Sequence, residues 1–241
     1  VGVAGAKTED PCHAYSDFSC FIDYSDRYLL LEAVRQHDVD YICPTCNDYS
    51  YVSCAWVAEQ CGFPGFDTLE TTDILHNKDK FRAFCKSASM PSPEVFTMLE
   101  GGRPDIDSAD FPLLVKPVDS FSGRGVTKVL NDQELDFALE HGFRSSRTAE
   151  VLVEEFVEGS LHSYSVFIRN GKIAFGIFAD EYCTVYPYQV NCSNIPSKLP
   201  LEVQNSVNDI ISKLIDRLHL CDGLLHTQLL VDGGSVWLVE C

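Results

Sequence analysis

The 241-residue chain has no apolar run of roughly 18 residues or more, the length a membrane-spanning helix needs. Cations are scarce. The 18 Lys+Arg stand against 36 Asp+Glu, a formal net charge of −18, which excludes bulk attraction to nucleic acid or to an anionic membrane as the main role. No basic stretch followed by an apolar one opens the chain, so no signal peptide is expected and the compartment reads as cytoplasmic. Internal repeats, low-complexity tracts and long linkers are absent, as is the Gly-Lys-Ser/Thr ending of a Walker loop. What remains is 45% hydrophobic and 22% charged, a globular composition long enough for one large domain or two small ones.

Cysteine is plentiful, 11 in all, but without a regular framework. Cys43-Pro-Thr-Cys46 has the spacing of half a zinc site, yet Cys54 and Cys61 lack the paired spacing of a second half, and no histidine pair follows. Cys20, Cys43, Cys54 and Cys85 sit among apolar neighbours, so reduced structural thiols are expected.

Periodicity alternates between helix and strand. Arg27–Arg35 reads as a helix, Asp38–Cys43 as a short strand and Tyr51–Cys61 as a second helix ending at Gly62, a βα pattern of a doubly wound parallel sheet. Lys78–Ser87 is a further helix. Strands are then expected over Phe111–Lys116, Gly125–Leu130, Val151–Phe156, His162–Arg169 and Lys172–Ala179, with a helix over Asp132–His141. Asn170-Gly171 marks a hairpin. Residues 201–219 place Val203, Val207, Ile210, Ile211, Leu214 and Leu218 on one helical face. The strands Leu224–Val231 and Val236–Glu240 close the chain around Asp232-Gly-Gly234. A chain stopping at Val-Glu-Cys241 without a polar tail reads as a cut end.

The chemistry concentrates where the few cations do: ten of the 18 fall between Lys78 and Arg147. Within that zone a strand ends in Lys116, and Ser120-Phe-Ser122-Gly123-Arg124-Gly125 turns into the next. Its glycines allow positive φ and close backbone approach to a polyanion, and its hydroxyls and Arg124 add donors. Alone, the loop is weak evidence, since most such loops are plain hairpin turns. Further on, an apolar strand closes in Glu154 and Glu155, and the last hairpin can set Gln228 opposite Glu240, two oxygen ligands for a hard cation. Each of these also has a bland reading, an exposed acidic strand end or a cross-strand polar pair.

In this order the motifs resemble the ATP-grasp ligases, close to biotin carboxylase and the carbamoyl-phosphate synthetase large chain, from about Asp38 to Glu240. The resemblance implies an α/β (α+β) ATP-grasp fold. A partial N-terminal doubly wound domain would cover residues 1–75 and the ATP-grasp domain residues 76–241, with a small lid subdomain at about 94–156 and an incomplete C-terminal portion at 157–241. It assigns Lys80 and Lys116 as nucleotide-binding lysines and Ser120, Ser122, Gly123 and Gly125 as the phosphate-covering loop. Lys116 and Arg124 would act on the transferring charge. Glu154 would accept from the adenine amino group, with Glu155, Phe156 and Val157 as hinge. His162 would reach the ribose, Leu114 and Leu230 would sandwich the base, and Gln228 and Glu240 would hold the metal. The implied activity is ATP- and Mg²⁺- (or Mn²⁺-) dependent activation of a small-molecule carboxylate as an acyl phosphate and its joining to an amine, in an enzyme that could be a homodimer. Two other implied roles are a non-catalytic ATP-binding regulatory or scaffold module and a small-molecule kinase.

The chain departs from the family pattern in two places. Many members have glutamate where Gln228 stands, and the family motif runs on past Glu240 to an asparagine and then an arginine, where this chain ends.

Overall fold

A computed structural model describes residues 1–45, 47–107 and 111–241. Cys46, half of the Cys43–Cys46 pair, lies outside the described residues. The chain divides into two compact units, Val1–Asp73 and Ile74–Cys241.

In the first unit, β1 (Gly2–Ala4) and β2 (Phe18–Cys20) pair in parallel. Helix α1 (Arg27–Gln36) is capped by the Asp26 carboxylate, which accepts from the Tyr28 and Leu29 amides. Helix α2 (Asp48–Cys61) is capped by Asn47 and terminated by Gly62 in the left-handed region at φ 72°. Leu30, Leu31, Val34, Cys54 and Val57 form the core between these helices. The strand expected at Asp38–Cys43 does not form. Asp38 turns through φ 48°, and the Val39 amide is spent on the Val34 carbonyl at the end of α1 rather than on a neighbouring strand.

Helix α3 (Leu69–His76) leads to α4 (Lys78–Ser87) and the second unit, which holds two antiparallel sheets. The small sheet has the order β3 (Val95–Leu99), β6 (Val151–Glu155), β4 (Leu113–Pro117), β5 (Thr127–Val129). Helix α5 (Asp132–Ser145) covers one face. Leu113, Val115, Val129, Val151 and Val153 meet Leu135, Ala138 and Leu139 there, all buried. Because side chains alternate along a strand, Leu114, Lys116, Leu152 and Glu154 must occupy the opposite face.

The larger sheet has the order β11 (Ser235–Glu240), β10 (Gly223–Asp232), β7 (Ser160–Arg169), β8 (Lys172–Tyr182), β9 (Cys192–Asn194). Helix α6 (Leu201–Leu218) packs Val207, Ile211, Leu214 and Ile215 against Tyr164, Val166, Leu225, Leu229 and Leu238. The odd-numbered residues of β10 are the buried ones, which turns His226, Gln228 and Leu230 to the other face. Asn170-Gly171 forms the expected hairpin with both residues at positive φ, 52° and 69°. The elements α3, β2, β3 and β9 add to those legible from periodicity. No helix among the described residues is long and apolar enough to cross a membrane.

Candidate nucleotide site

A cavity of about 640 Å³ is lined from both sheets of the second unit, within the range of small-molecule sites. Leu114, Lys116 and Glu154 come from the small sheet, Leu230 and Gln228 from β10, and Val239 and Glu240 from β11. The Ser120–Gly123 loop, the segment Glu155–Gly159 and Lys78 from α4 also line it.

Its charged centre is a buried triad. The Lys116 ammonium contacts Glu154 Oε1, and Arg82 Nε donates to Glu154 Oε2 at 2.9 Å. All three side chains are at most 5% exposed. Arg82 Nη1 also donates to the Val239 carbonyl at 2.9 Å, which ties β6 to β11. Burial is the largest influence on Lys116 and brings its ammonium down to about 8; Arg82 and Lys78 push the same way, and Glu154 opposes them. Burial alone would raise the Glu154 carboxyl. The charges and hydrogen bonds of Lys116 and Arg82 outweigh it and hold the group below the usual carboxylate range.

Most of the residues singled out from the sequence come together here: Leu114, Lys116, Ser120, Ser122, Gly123, Glu154, Glu155, Phe156, Val157, Gln228, Leu230 and Glu240 all line the cavity. Four do not. Lys80 is exposed on α4, and Lys78 stands at the cavity in its place, donating to the Ser120 carbonyl and lying 3.6 Å from Glu240 Oε2. The helical period explains the difference: Lys78 and Arg82 are four residues apart on one face, and Lys80 is on the reverse. Arg124 is exposed, its guanidinium 4.8 Å from the Phe121 ring centroid. Gly125 is a packing residue, since a Cβ there would lie 2.5 Å from Ser145 Cβ. His162 alternates onto the face away from Leu161, buried, with Nδ1 3.0 Å from Asp180 Oδ1 and Nε2 2.7 Å from Ser160 Oγ. Strand phase thus keeps His162, expected at the ribose, off the cavity wall that Leu161 lines. Glu154, expected to meet the adenine amino group, has both oxygens bound to protein cations.

The loop is built as its composition suggests. Ser122, Gly123 and Gly125 have φ of 57°, 71° and 73°, and Ser120 Oγ donates to the Arg124 carbonyl at 2.9 Å. Gly123 is required by a close approach as well, because a Cβ would lie 2.8 Å from the Tyr188 carbonyl carbon and oxygen. Lys128 sits 3.6 Å from the Phe156 ring centroid.

The donor set fits a nucleotide. Lys78 and Lys116 offer cations for phosphate, and Leu114 and Leu230 offer an apolar face from each sheet. Gln228 and Glu240 are register partners across β10 and β11, a two-oxygen set that would suit a hard cation such as Mg²⁺. No group of three or more His, Cys, Asp or Glu side chains placed to hold a metal occurs among the described residues. Their ten cysteines are all free thiols.

Comparison with known proteins agrees. A family model, the ATP-grasp domain, matches residues 109–241. The chain belongs to the ATP-grasp family. Among curated ATP-grasp relatives, formate-dependent phosphoribosylglycinamide formyltransferase of Prochlorococcus marinus (strain MIT 9312) is 26% identical over 217 residues, covering 82% of this chain and 54% of the relative. The chain thus spans about half the length of the curated relatives it matches. Among solved structures, L-amino acid ligase from Bacillus licheniformis superposes with a TM-score of 0.75 at 20% identity, covering 93% of this chain and 55% of that one. The biotin carboxylase domain of the Hydrogenobacter thermophilus 2-oxoglutarate carboxylase, in complex with MgADP, superposes with a TM-score of 0.77 at 15% identity, covering 99% and 57%. At these identities the structural likeness establishes the fold. The expected α/β ATP-grasp fold is the one found.

Proposed function

We propose that the chain carries the nucleotide site of an ATP- and Mg²⁺-dependent ligase that activates a small-molecule carboxylate and joins it to an amine. The observation that carries this is one cavity holding Lys116, Lys78, the Ser120–Gly123 loop and the Gln228–Glu240 pair, in a chain of the ATP-grasp family. ATP with Mg²⁺ (or Mn²⁺) supplies, when bound, the phosphoryl group that turns a carboxylate into one an amine can displace.

The chain's own residues position and stabilise charge. Lys116 and Lys78 present ammonium groups to phosphate oxygens in a partly dry site, where such contacts are worth more than in water. The loop brings backbone amides close because its glycines and Ser122 have positive φ. Gln228 and Glu240 hold the cation. Leu114 and Leu230 pack on the base, whose polar edge falls to the Glu155–Val157 backbone. Glu154 serves Lys116, holding its ammonium in place. The reaction needs no protein nucleophile; positioning and electrostatics carry it.

Formate and amino acids, named in the relatives and the solved ligase, are the first carboxylates to test. The protein is incubated with ATP, Mg²⁺ and pairs of carboxylates and amines, and ADP and phosphate are measured. Release that requires both partners supports the ligase. Nucleotide binding without turnover would replace it with an ATP-binding module, and a phosphorylated product without an amide would replace it with a kinase.

A further inference from the structure

Gln228 is held from behind by a buried carboxylate. Glu181, on β8, is 7% exposed, and its Oε2 accepts from Gln228 Nε2 at 2.8 Å. The two side chains meet across an intervening strand. Gln228, Ser163 and Ala179 are register partners on β10, β7 and β8, and the two small side chains leave room for the longer pair above them. On the same face, His226 Nε2 lies 4.0 Å from Glu181 Oε1 and is half exposed.

This contact decides which way the amide points. A carboxylate only accepts, so Gln228 must turn its NH₂ towards Glu181. Its carbonyl oxygen is then the group left for the cavity, which Gln228 lines together with Glu240. A free glutamine can rotate to offer a donor, which repels a cation; one pinned by a carboxylate cannot. The negative charge missing at position 228, where a glutamate would carry it, stands one side chain further back.

We propose that Glu181 is a positioning residue for the divalent cation of the nucleotide site. It locks Gln228 with its oxygen available to the metal and supplies the charge that glutamine lacks. The proposal rests on the nucleotide-site assignment above.

The test titrates Mn²⁺ into the 241-residue chain with ADP, reading free Mn²⁺ by electron paramagnetic resonance. Glu181→Leu is expected to weaken Mn²⁺ binding about 10- to 100-fold, the usual cost of removing a residue that orients a metal ligand. Glu181→Gln keeps an acceptor but drops the charge, so it falls between wild type and Glu181→Leu. It also carries the test if the leucine variant does not fold. ADP binding in EDTA should be the same in all three. Because Glu181 acts largely through Gln228, the double variant Glu181→Leu/Gln228→Leu should lose clearly less than the sum of the two single losses. Unchanged Mn²⁺ affinity in a folded Glu181 variant, or losses that simply add in the double variant, would overturn the proposal alone. A wild-type chain that binds neither ADP nor Mn²⁺·ADP would overturn the nucleotide-site assignment and the proposal with it.

Discussion

Lys116 and Glu154 sit on neighbouring strands of the small sheet, two residues off register, and meet on its cavity face with both side chains almost wholly buried. The pairing follows from strand alternation, because β4 and β6 each point one apolar set at α5 and send Lys116 and Glu154 the other way. Arg82 supplies the second cation, so one carboxylate organises two positive groups from different elements.

The lowered Lys116 value gives a pH signature. With the ammonium down at about 8 against an ordinary 10.5, nucleotide affinity should fall as pH rises through about 8, where Lys116 in the free site loses its positive charge. The sign for stability is opposite: the unfolded chain keeps that proton up to 10.5, so this residue favours the fold increasingly between about 8 and 10.5. Titration with a fluorescent ATP analogue from pH 7 to 9.5 checks the first effect, and Lys116→Arg should flatten the profile. A wild-type profile that is flat across that range would count against it.

Removing the shared carboxylate should cost more than removing either cation. Glu154→Ala leaves Lys116 and Arg82 as two buried like charges and is expected to destabilise by about 3–5 kcal/mol. Lys116→Met leaves the Arg82–Glu154 pair intact and should cost less. Urea unfolding of the two variants, compared at neutral pH, measures the order.

Helical phase separates Lys78 from Lys80. Lys78→Ala is expected to weaken ATP binding about tenfold or more, the effect of one lost charged hydrogen bond in a partly buried site. Lys80→Ala, on the far side of α4, should leave it unchanged. Equal losses in the two variants would place both lysines at the nucleotide.

How much of this was legible in the sequence depends on range. The strands β4 and β6 stand out because apolar runs end abruptly in charge, whereas the turn at Gly233-Gly234 alone would set Gln228 opposite Val239, and a register shift between Gln228 and Leu229 brings Glu240 there instead. Motif spacing points to Lys80, while the buried Phe81 and Cys85 fix the phase of α4 so that Lys78 faces in. Glu181 and Arg82 carry no local signal, since their partners lie 47 and 72 residues away. The strand expected at Asp38–Cys43 has the right residues but pairs with no strand among the described residues, and pairing is a non-local property.

Two glycines give a contrast in stability. A Cβ at Gly125 would lie 2.7 Å from Pro117 Cγ as well as against Ser145, at φ 73°. Gly125→Ala should therefore destabilise by about 1–3 kcal/mol. Gly223, on β10, has nothing within 4 Å of its Cβ direction, and Gly223→Ala should stay within about 0.5 kcal/mol of wild type. Thermal unfolding of both variants makes the comparison.

Calorimetric titration of ATP with Mg²⁺ into the wild-type chain and into Lys116→Ala, with circular dichroism to verify the fold, goes straight to the nucleotide site. Saturable binding by wild type and a loss of about 10- to 100-fold or more in the variant is the expected result. The same affinity in a folded Lys116→Ala chain would contradict the assignment of this cavity as an ATP site.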